Sequence, residues 1–279
     1  MKQIKSFNNT HPLLYLIATP IGNLGEMTPR ALDVLKEVDY VACEDTRNTK
    51  DLLAKFNISK RLVSLREHNE IEASHHVIED LLNGTKVAYV SDAGYPAISD
   101  PGNILVKLCI EKDIAVSVVS GSSAFINALT SSNLNTNHFY FHGFLSPKES
   151  EARKELKELR EKPETLIFYE APHRIVDTIK VLFEELGDRK VSLQRELTKL
   201  NEEKLYGTLS ELNNFDLSSL KGEMVIVVEG NQKEIAISDK ELIEKVEWFI
   251  NKGLSKKDAI ELTCEVLKVK KNYIKDLIK

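Results

Sequence analysis

Long apolar runs are missing from this sequence: no stretch within its 279 residues reaches the roughly 18 consecutive apolar positions that a membrane-crossing helix needs. The opening segment, MKQIKSFNNTHP, also lacks the apolar core of a secretory signal, so a cytoplasmic protein is expected. Cysteine is scarce. Cys43, Cys109 and Cys264 are odd in number, far apart and never in C-x-x-C spacing, which excludes a disulfide framework and a paired zinc or redox motif and leaves buried free thiols as the expectation. Two glycine motifs are absent as well. Without G-x-G-x-x-G the chain is not read as a dinucleotide-binding oxidoreductase, and without G-x-x-x-x-G-K-[ST] it is not read as a P-loop nucleotidase.

What is present is the composition of an ordinary globular protein, 42% hydrophobic and 29% charged, long enough for two domains or two plus an appendage. The net charge of -5 is unevenly spread. Residues 251–279 hold eight Lys against four Asp or Glu, a local +4, so the other 250 residues carry -9. An acidic body disfavours non-specific nucleic-acid binding, and any RNA partner is expected to be met through local basic patches and shape.

Hydrophobic patterning orders the chain into three parts. Strand-length apolar runs at 13–18, 39–43, 61–65, 86–91 and 115–119 alternate with amphipathic helices at 29–36, 46–55, 70–83, 102–112 and 122–131, the pattern of a parallel sheet covered on both faces. After the polar segment 131–137, strands are expected at 139–143, 165–169, 191–195, 204–209 and 224–229, with helices at 149–161 and 172–186. The close spacing of the last strands points to a mixed sheet. Helices alone follow, at 239–251, 255–267 and 270–278, with Ser255 and Asp258 spaced as an N-cap. The expected domains are therefore 1–132 (α/β), 133–235 (α/β with a mixed sheet) and 236–279, a helix-turn-helix-like tail. Its lysines are placed either to touch a phosphate backbone or to solvate a packed helical surface.

Ligand loops of an α/β domain lie at the C-terminal ends of its strands, and that is where the small residues collect. The first strand runs into Ala18-Thr19-Pro20-Ile21-Gly22-Asn23-Leu24-Gly25, either a structural turn or a loop that lets a ligand approach the backbone. The fourth runs into Ser91-Asp92-Ala93-Gly94-Tyr95-Pro96-Ala97-Ile98-Ser99-Asp100-Pro101-Gly102, with two Gly, two Pro and two Asp in twelve residues. Asp100 is expected to cap the next helix, with Pro101 in its first position. Asp92 has no such duty and suits the hydroxyls or ammonium group of a nucleoside-like ligand. The fifth runs into Ser120-Gly121-Ser122-Ser123-Ala124, which opens a helix and either caps it or offers its amides to a ligand oxygen. Ionisable groups close other strands, in Glu44-Asp45-Thr46-Arg47, Tyr169-Glu170-Ala171-Pro172-His173-Arg174 and Arg195-Glu196-Leu197-Thr198-Lys199. Salt bridges among them, and capping by Asp45 or Thr46, are the structural alternatives.

Taken in order, TPIGNLGEMTPRAL, EDTR, SDAGYPAISDPG, GSSA, Gly143-Phe144, FYEAPHR, RELTK and KGEMVIVVEG resemble the signature series of the small-subunit ribosomal RNA methyltransferase I family, in the tetrapyrrole-methylase superfamily. The likeness runs from about residue 13 to 230, with a tail like the family's helical one. It implies two α/β domains with a cofactor cleft between them, a homodimer, S-adenosylmethionine as cofactor without a metal, and a cytidine 2'-hydroxyl in the decoding region of 16S rRNA as methyl acceptor. Carried across residue by residue, it implies cofactor contacts from Asp92, Ala93, Gly94, Pro96, Ile98, Ser120, Ser122, Ser123, Ala124, Phe144, Glu170 and Met224, with Pro20 and Gly22 bordering the cleft. The chain departs from the family in Tyr95 and Ala97, where Thr and Leu are commoner, and in Ser120 and Ser122, which replace the prolines of P-G-P-S-A.

Transfer of a sulfonium methyl to a hydroxyl needs alignment and a group to take the proton. By chemistry and position, Asp45, Glu170 and His173 are the candidates for that group, and Arg47, Arg195 and Lys199 for stabilising the developing alkoxide. Two other functions are compatible with the pattern: methylation of a tetrapyrrole or other small molecule, and a ligand-sensing nucleic-acid-binding protein that reads DNA through its tail.

Overall fold

The structure, a computed structural model, describes residues 1–7, 12–232, 239–267, 269 and 271–278. They form two compact units, Met1–Asn231 and Gln232–Lys279. The expected boundary at 235/236, together with Lys268, Lys270 and Lys279, lies outside the described residues.

The first sheet comprises β1 (Leu13–Ile17), β2 (Tyr40–Cys43), β3 (Arg61–Ser64), β4 (Val87–Val90) and β5 (Ala115–Val119), in the order β3-β2-β4-β1-β5 and parallel throughout. Its helices are α1 (Pro29–Glu37), α2 (Thr46–Lys55), α3 (Glu70–Leu82), α4 (Asn103–Glu111) and α5 (Ala124–Thr130). The continuous apolar runs of β2 and β4 follow from burial on both faces. Tyr40, Ala42, Val87 and Tyr89 enter one core, and Val41, Cys43, Ala88 and Val90 the other. Thr28 caps α1, its hydroxyl accepting from the Ala31 N–H at 3.2 Å with Pro29 following at the first helical position.

The second sheet holds β6 (Phe139–Phe144), β7 (Thr165–Glu170), β8 (Lys190–Arg195), β9 (Glu203–Thr208) and β10 (Met224–Val228), ordered β6-β7-β10-β8-β9. Only β6 and β7 run parallel, so the sheet is mixed. β10 is buried throughout. Met224, Ile226 and Val228 face the core under α6 (Glu149–Leu159), α7 (Ile175–Leu186) and α8 (Leu209–Asn213), whereas Val225 and Val227 meet Ala128 and Leu129 of α5. That second contact joins the two sheets into one unit and leaves a cleft at their strand ends. Where β9 was expected to run through Leu209, Thr208 ends the strand and opens α8 in a capping box with Glu211.

The smaller unit contains α9 (Asp239–Asn251), α10 (Lys256–Leu267) and α11 (Lys271–Leu277) around Leu242, Val246, Phe249, Ala259, Ile260 and Ile274. Ser255 caps α10 as its spacing with Asp258 suggested, the hydroxyl accepting from the Asp258 N–H at 3.2 Å. Among the described residues no helix is long and apolar enough to cross a membrane.

Candidate functional site

Three loops of the first sheet are tied to one another. Thr19 and Gly94 exchange both backbone hydrogen bonds, at 2.9 and 3.0 Å, and Gly94 adopts a φ of 77° to do so. The Tyr95 hydroxyl accepts from the Gly121 N–H at 3.2 Å. Residue 121 must be small, because a Cβ there would sit 2.9 Å from Ala18 Cβ.

Asp100 does not cap α4. Gly102 occupies the cap position, and the Gly102 and Ile104 N–H groups both donate to Glu70 Oε1, at 2.8 and 2.9 Å. A carboxylate from α3 therefore supplies the helix start, and Asp100 is left to line the cleft. The loop carrying it is strained: Ala97 and Ser99 take left-handed φ values of 67° and 60°. It is held by the Tyr89 hydroxyl donating to the Pro101 carbonyl at 2.9 Å and the Ala97 N–H donating to the same oxygen at 3.1 Å. Ser99 Oγ lies 3.1 Å from the space a Cβ would fill at Gly143, where the pairing of β6 with β7 shifts register. The strained loop thus reaches the second sheet at its bulge.

The cleft encloses about 370 Å³. Five carboxylates line it, Glu44, Asp92, Asp100, Glu170 and Glu223, and among the described residues no Lys, Arg or His does. Asp92 Oδ1 accepts from the Asp45 N–H at 3.2 Å and Oδ2 from Asn48 Nδ2 at 2.7 Å. Burial, and then the charge of Asp92, raises the Glu44 carboxyl above the usual range. Burial, followed by the charge of Glu44, pushes Asp100 up to about 6 against a hydrogen bond from Ser91. Glu170, 2% exposed, is fully engaged: Thr178 Oγ1 donates to it at 2.5 Å, the Ala171 N–H at 2.8 Å, and Arg174 Nε lies 3.4 Å away.

The opposite wall is apolar and aromatic. Phe144 and Phe141 meet the Tyr169 ring edge-on, with centroids 5.6 and 5.0 Å away. The Tyr169 hydroxyl, pushed up to about 12 by burial, accepts from the Phe125 N–H at 3.2 Å. Met224 and Val225 complete this face from β10.

Of the expected cofactor residues, Asp92, Ala93, Gly94, Ile98, Ser123, Ala124, Phe144, Glu170 and Met224 line the cleft, whereas Pro20, Gly22, Pro96, Ser120 and Ser122 do not. Ser120 and Ser122 border a separate shallow concavity, where Ser122 Oγ donates to Glu26 Oε2 at 2.5 Å. Gly22 lies under the Lys199 stem, which a Cβ would strike. Lys199 Nζ in turn bridges Glu196 Oε1 at 2.9 Å and Glu223 Oε2 at 3.2 Å. Asp45 and Arg47 pair with each other at 2.8 Å, and Asp45 caps α2 by accepting from the Arg47 N–H; both interactions hold its carboxyl well below the ordinary carboxylate range. Arg195 pairs with Glu203 at 2.5 Å. His173 is exposed next to cleft-lining Pro172 and, among the described residues, has no hydrogen-bond partner. Reading the sequence did not name Glu44, Asp100, Phe125, Tyr169 or Glu223 as cofactor contacts, although they line the cleft. Acids at successive strand ends were the available signal for the first two.

The sequence profile of the Tetrapyrrole (Corrin/Porphyrin) Methylases matches residues 13–213. The chain is 41% identical to the Ribosomal RNA small subunit methyltransferase I of Bacillus subtilis (strain 168), over 99% of this chain and 98% of that one. It is 43% identical to the protein of the same name from Vibrio cholerae serotype O1, over 98% and 96%. Among solved structures, a cobalt precorrin-4 methyltransferase superposes with a TM-score of 0.58 at 17% identity, covering 80% of this chain and 96% of that one. Diphthine synthase superposes at 0.61 and 15%, covering 78% and 89%. At these identities the structures are alike in fold.

Proposed function

Since the chain belongs to the tetrapyrrole methylase family, and within it to the ribosomal RNA small subunit methyltransferase I group, we propose that it methylates the 2'-hydroxyl of a cytidine in the decoding region of 16S rRNA, with S-adenosylmethionine as methyl donor. The observation that carries the cofactor reading is the charge of the cleft: Glu170 and Glu223 pair with Arg174 and Lys199, but Glu44, Asp92 and Asp100 have no ion-pair partner among the described residues, and none of the described lining residues is basic. Such a cavity repels phosphate-bearing cofactors and suits a ligand with a sulfonium and an ammonium group, while Phe144, Tyr169 and Met224 offer an apolar face to its adenine. The residues present therefore fit the cofactor, which when bound supplies an electrophilic methyl group.

The protein's part is to position and to handle the proton. Of the three candidate proton acceptors, Asp45 is tied to Arg47 and Glu170 to Thr178, Ala171 and Arg174. His173, at the rim and without a partner among the described residues, is assigned the acceptor role. Lys199, whose partner Glu223 lines the cleft, is assigned to the acceptor's oxygens, while Arg47 and Arg195 pair with Asp45 and Glu203, neither of which lines it. We assign the enzyme to the cytoplasm as a homodimer acting on the small ribosomal subunit, readings supported by the resemblance of its loops.

Purified small subunits incubated with the enzyme and methyl-tritiated S-adenosylmethionine should become labelled, with the label on a cytidine ribose after nuclease digestion and mass spectrometry. Label confined to free tetrapyrroles or other small molecules, or placed on a base, would overturn the substrate.

A further inference from the structure

The loop 95–102 is held at both ends by hydrogen bonds, and what it holds is Asp100. Two non-glycine residues on it, Ala97 and Ser99, are left-handed. Conformations of that kind persist only where neighbours over-determine them. The neighbours are identifiable: Tyr89 on the Pro101 carbonyl, Glu70 on the Gly102 and Ile104 amides, and the second sheet against Ser99. The carboxylate so fixed faces Glu44 from β2 and Asp92 from β4, with Tyr89 and Tyr169 also within electrostatic reach. The cations beside the cleft act on other acids: Arg66 on Glu44, Arg174 on Glu170 and Lys199 on Glu223. A rigid acid among acids, in a cleft whose described lining includes no base, lacks a positive partner that only a ligand can bring.

We propose that Asp100 selects the charged sulfonium form of the ligand over its demethylated thioether, by holding a carboxylate against the cation from a loop that cannot withdraw. This rests on the cofactor reading above and adds to it a residue and a discriminating property. Because burial and Glu44 push Asp100 up to about 6, an arriving cation must displace its proton below that pH. Sulfonium affinity therefore falls as pH drops through the region of 6, with release of a proton on binding. The uncharged thioether, which keeps the same ammonium, carboxylate and adenosine, lacks that linkage.

Calorimetry with S-adenosylmethionine and S-adenosylhomocysteine, between about pH 5 and about pH 7.5, tests this without any turnover. The wild type should bind the sulfonium roughly tenfold more weakly at the acid end, while the thioether changes by less than about threefold. In Asp100→Asn the sulfonium should be roughly tenfold weaker at the upper pH and nearly flat with pH, and thioether affinity should be unchanged. The comparison of the two ligands on the wild type does not depend on the variant folding. Binding of both with the same pH profile, or a variant that keeps the sulfonium's pH dependence, overturns the inference alone. No binding of either by folded protein overturns the cofactor reading and this inference with it.

Discussion

The first-sheet wall of the cleft carries Glu44 after β2, and Asp92 and Asp100 on a loop bent through Gly94, Ala97, Ser99 and Gly102, all at positive φ. The second-sheet wall presents Phe144, Tyr169 and Met224 from strand ends, and its buried acid, Glu170, has a partner on each oxygen. One wall stores charge and strain, and the other supplies shape. The division follows from topology: the parallel first sheet ends every strand in a loop on the same side, where acids can gather. The antiparallel pairings of β10 put apolar side chains at the cleft's other edge, with Met224 opposite both Glu170 and Arg195. Substitutions on the two walls should accordingly separate into effects on folding and effects on ligand, though not wall by wall.

The largest effect is expected at Gly102. Its φ of 129° is poorly open to side chains, and a Cβ would lie 2.7 Å from Cε1 of the fully buried Tyr89. Gly102→Val should lose about 3 kcal/mol or more in urea unfolding. A loss below about 1 kcal/mol would mean that the strained loop yields, and the contrast between the walls with it. Next comes Glu170. Glu170→Ala leaves the Thr178 hydroxyl and the Ala171 N–H without their acceptor and Arg174 without its charge partner, which should destabilise by about 2–4 kcal/mol, while Glu170→Gln loses about half as much. Equal losses for the two would show that charge outweighs hydrogen bonding there.

How far these walls were legible in the sequence depends on how local the deciding contacts are. Strands β1 to β5 were readable because each is an apolar run bounded by turn residues, and Ser255 was readable as a cap because its partner lies three residues on. Asp100 was misread for the same reason in reverse. Local spacing made it a cap, but the α4 amides are claimed by Glu70, some thirty residues earlier. The start of α8 was missed because its capping box begins on the last residue of β9 with no intervening turn. Tyr169 and Glu223 gave no signal as cleft residues, since they meet only once β10 has inserted between β7 and β8.

A smaller effect should mark Phe144, which is 54% exposed yet lines the cleft. Phe144→Ala should change folding stability by less than about 0.5 kcal/mol but weaken S-adenosylmethionine binding by roughly three- to tenfold, through loss of one aromatic face. Calorimetry set beside a urea melt checks both halves. A variant that unfolds easily but binds normally would move Phe144 from ligand contact to packing.

One substitution is expected to bring a gain. The folded-state pKa of Asp100, about 6, lies above the ordinary carboxylate value, so its contribution to stability is fully present in acid and is lost as pH rises from about 4 through 6. At neutral pH the folded protein therefore holds an unfavourable charge. The shift would correspond to about 3 kcal/mol for a sealed site, but Asp100 is only partly buried and solvent screens it, leaving about 1 kcal/mol. Asp100→Asn removes the charge, so the variant should be the more stable protein by about that amount above pH 6 and indistinguishable from wild type below about pH 4. Urea melts of both proteins at the two ends of that range decide it. A gain that persists in acid would trace to packing, and a loss at neutral pH would mean that the carboxylate is stabilised by neighbours rather than held against them. The predicted combination, greater stability with poorer sulfonium binding, is what separates a charge kept for a ligand from one kept for the fold.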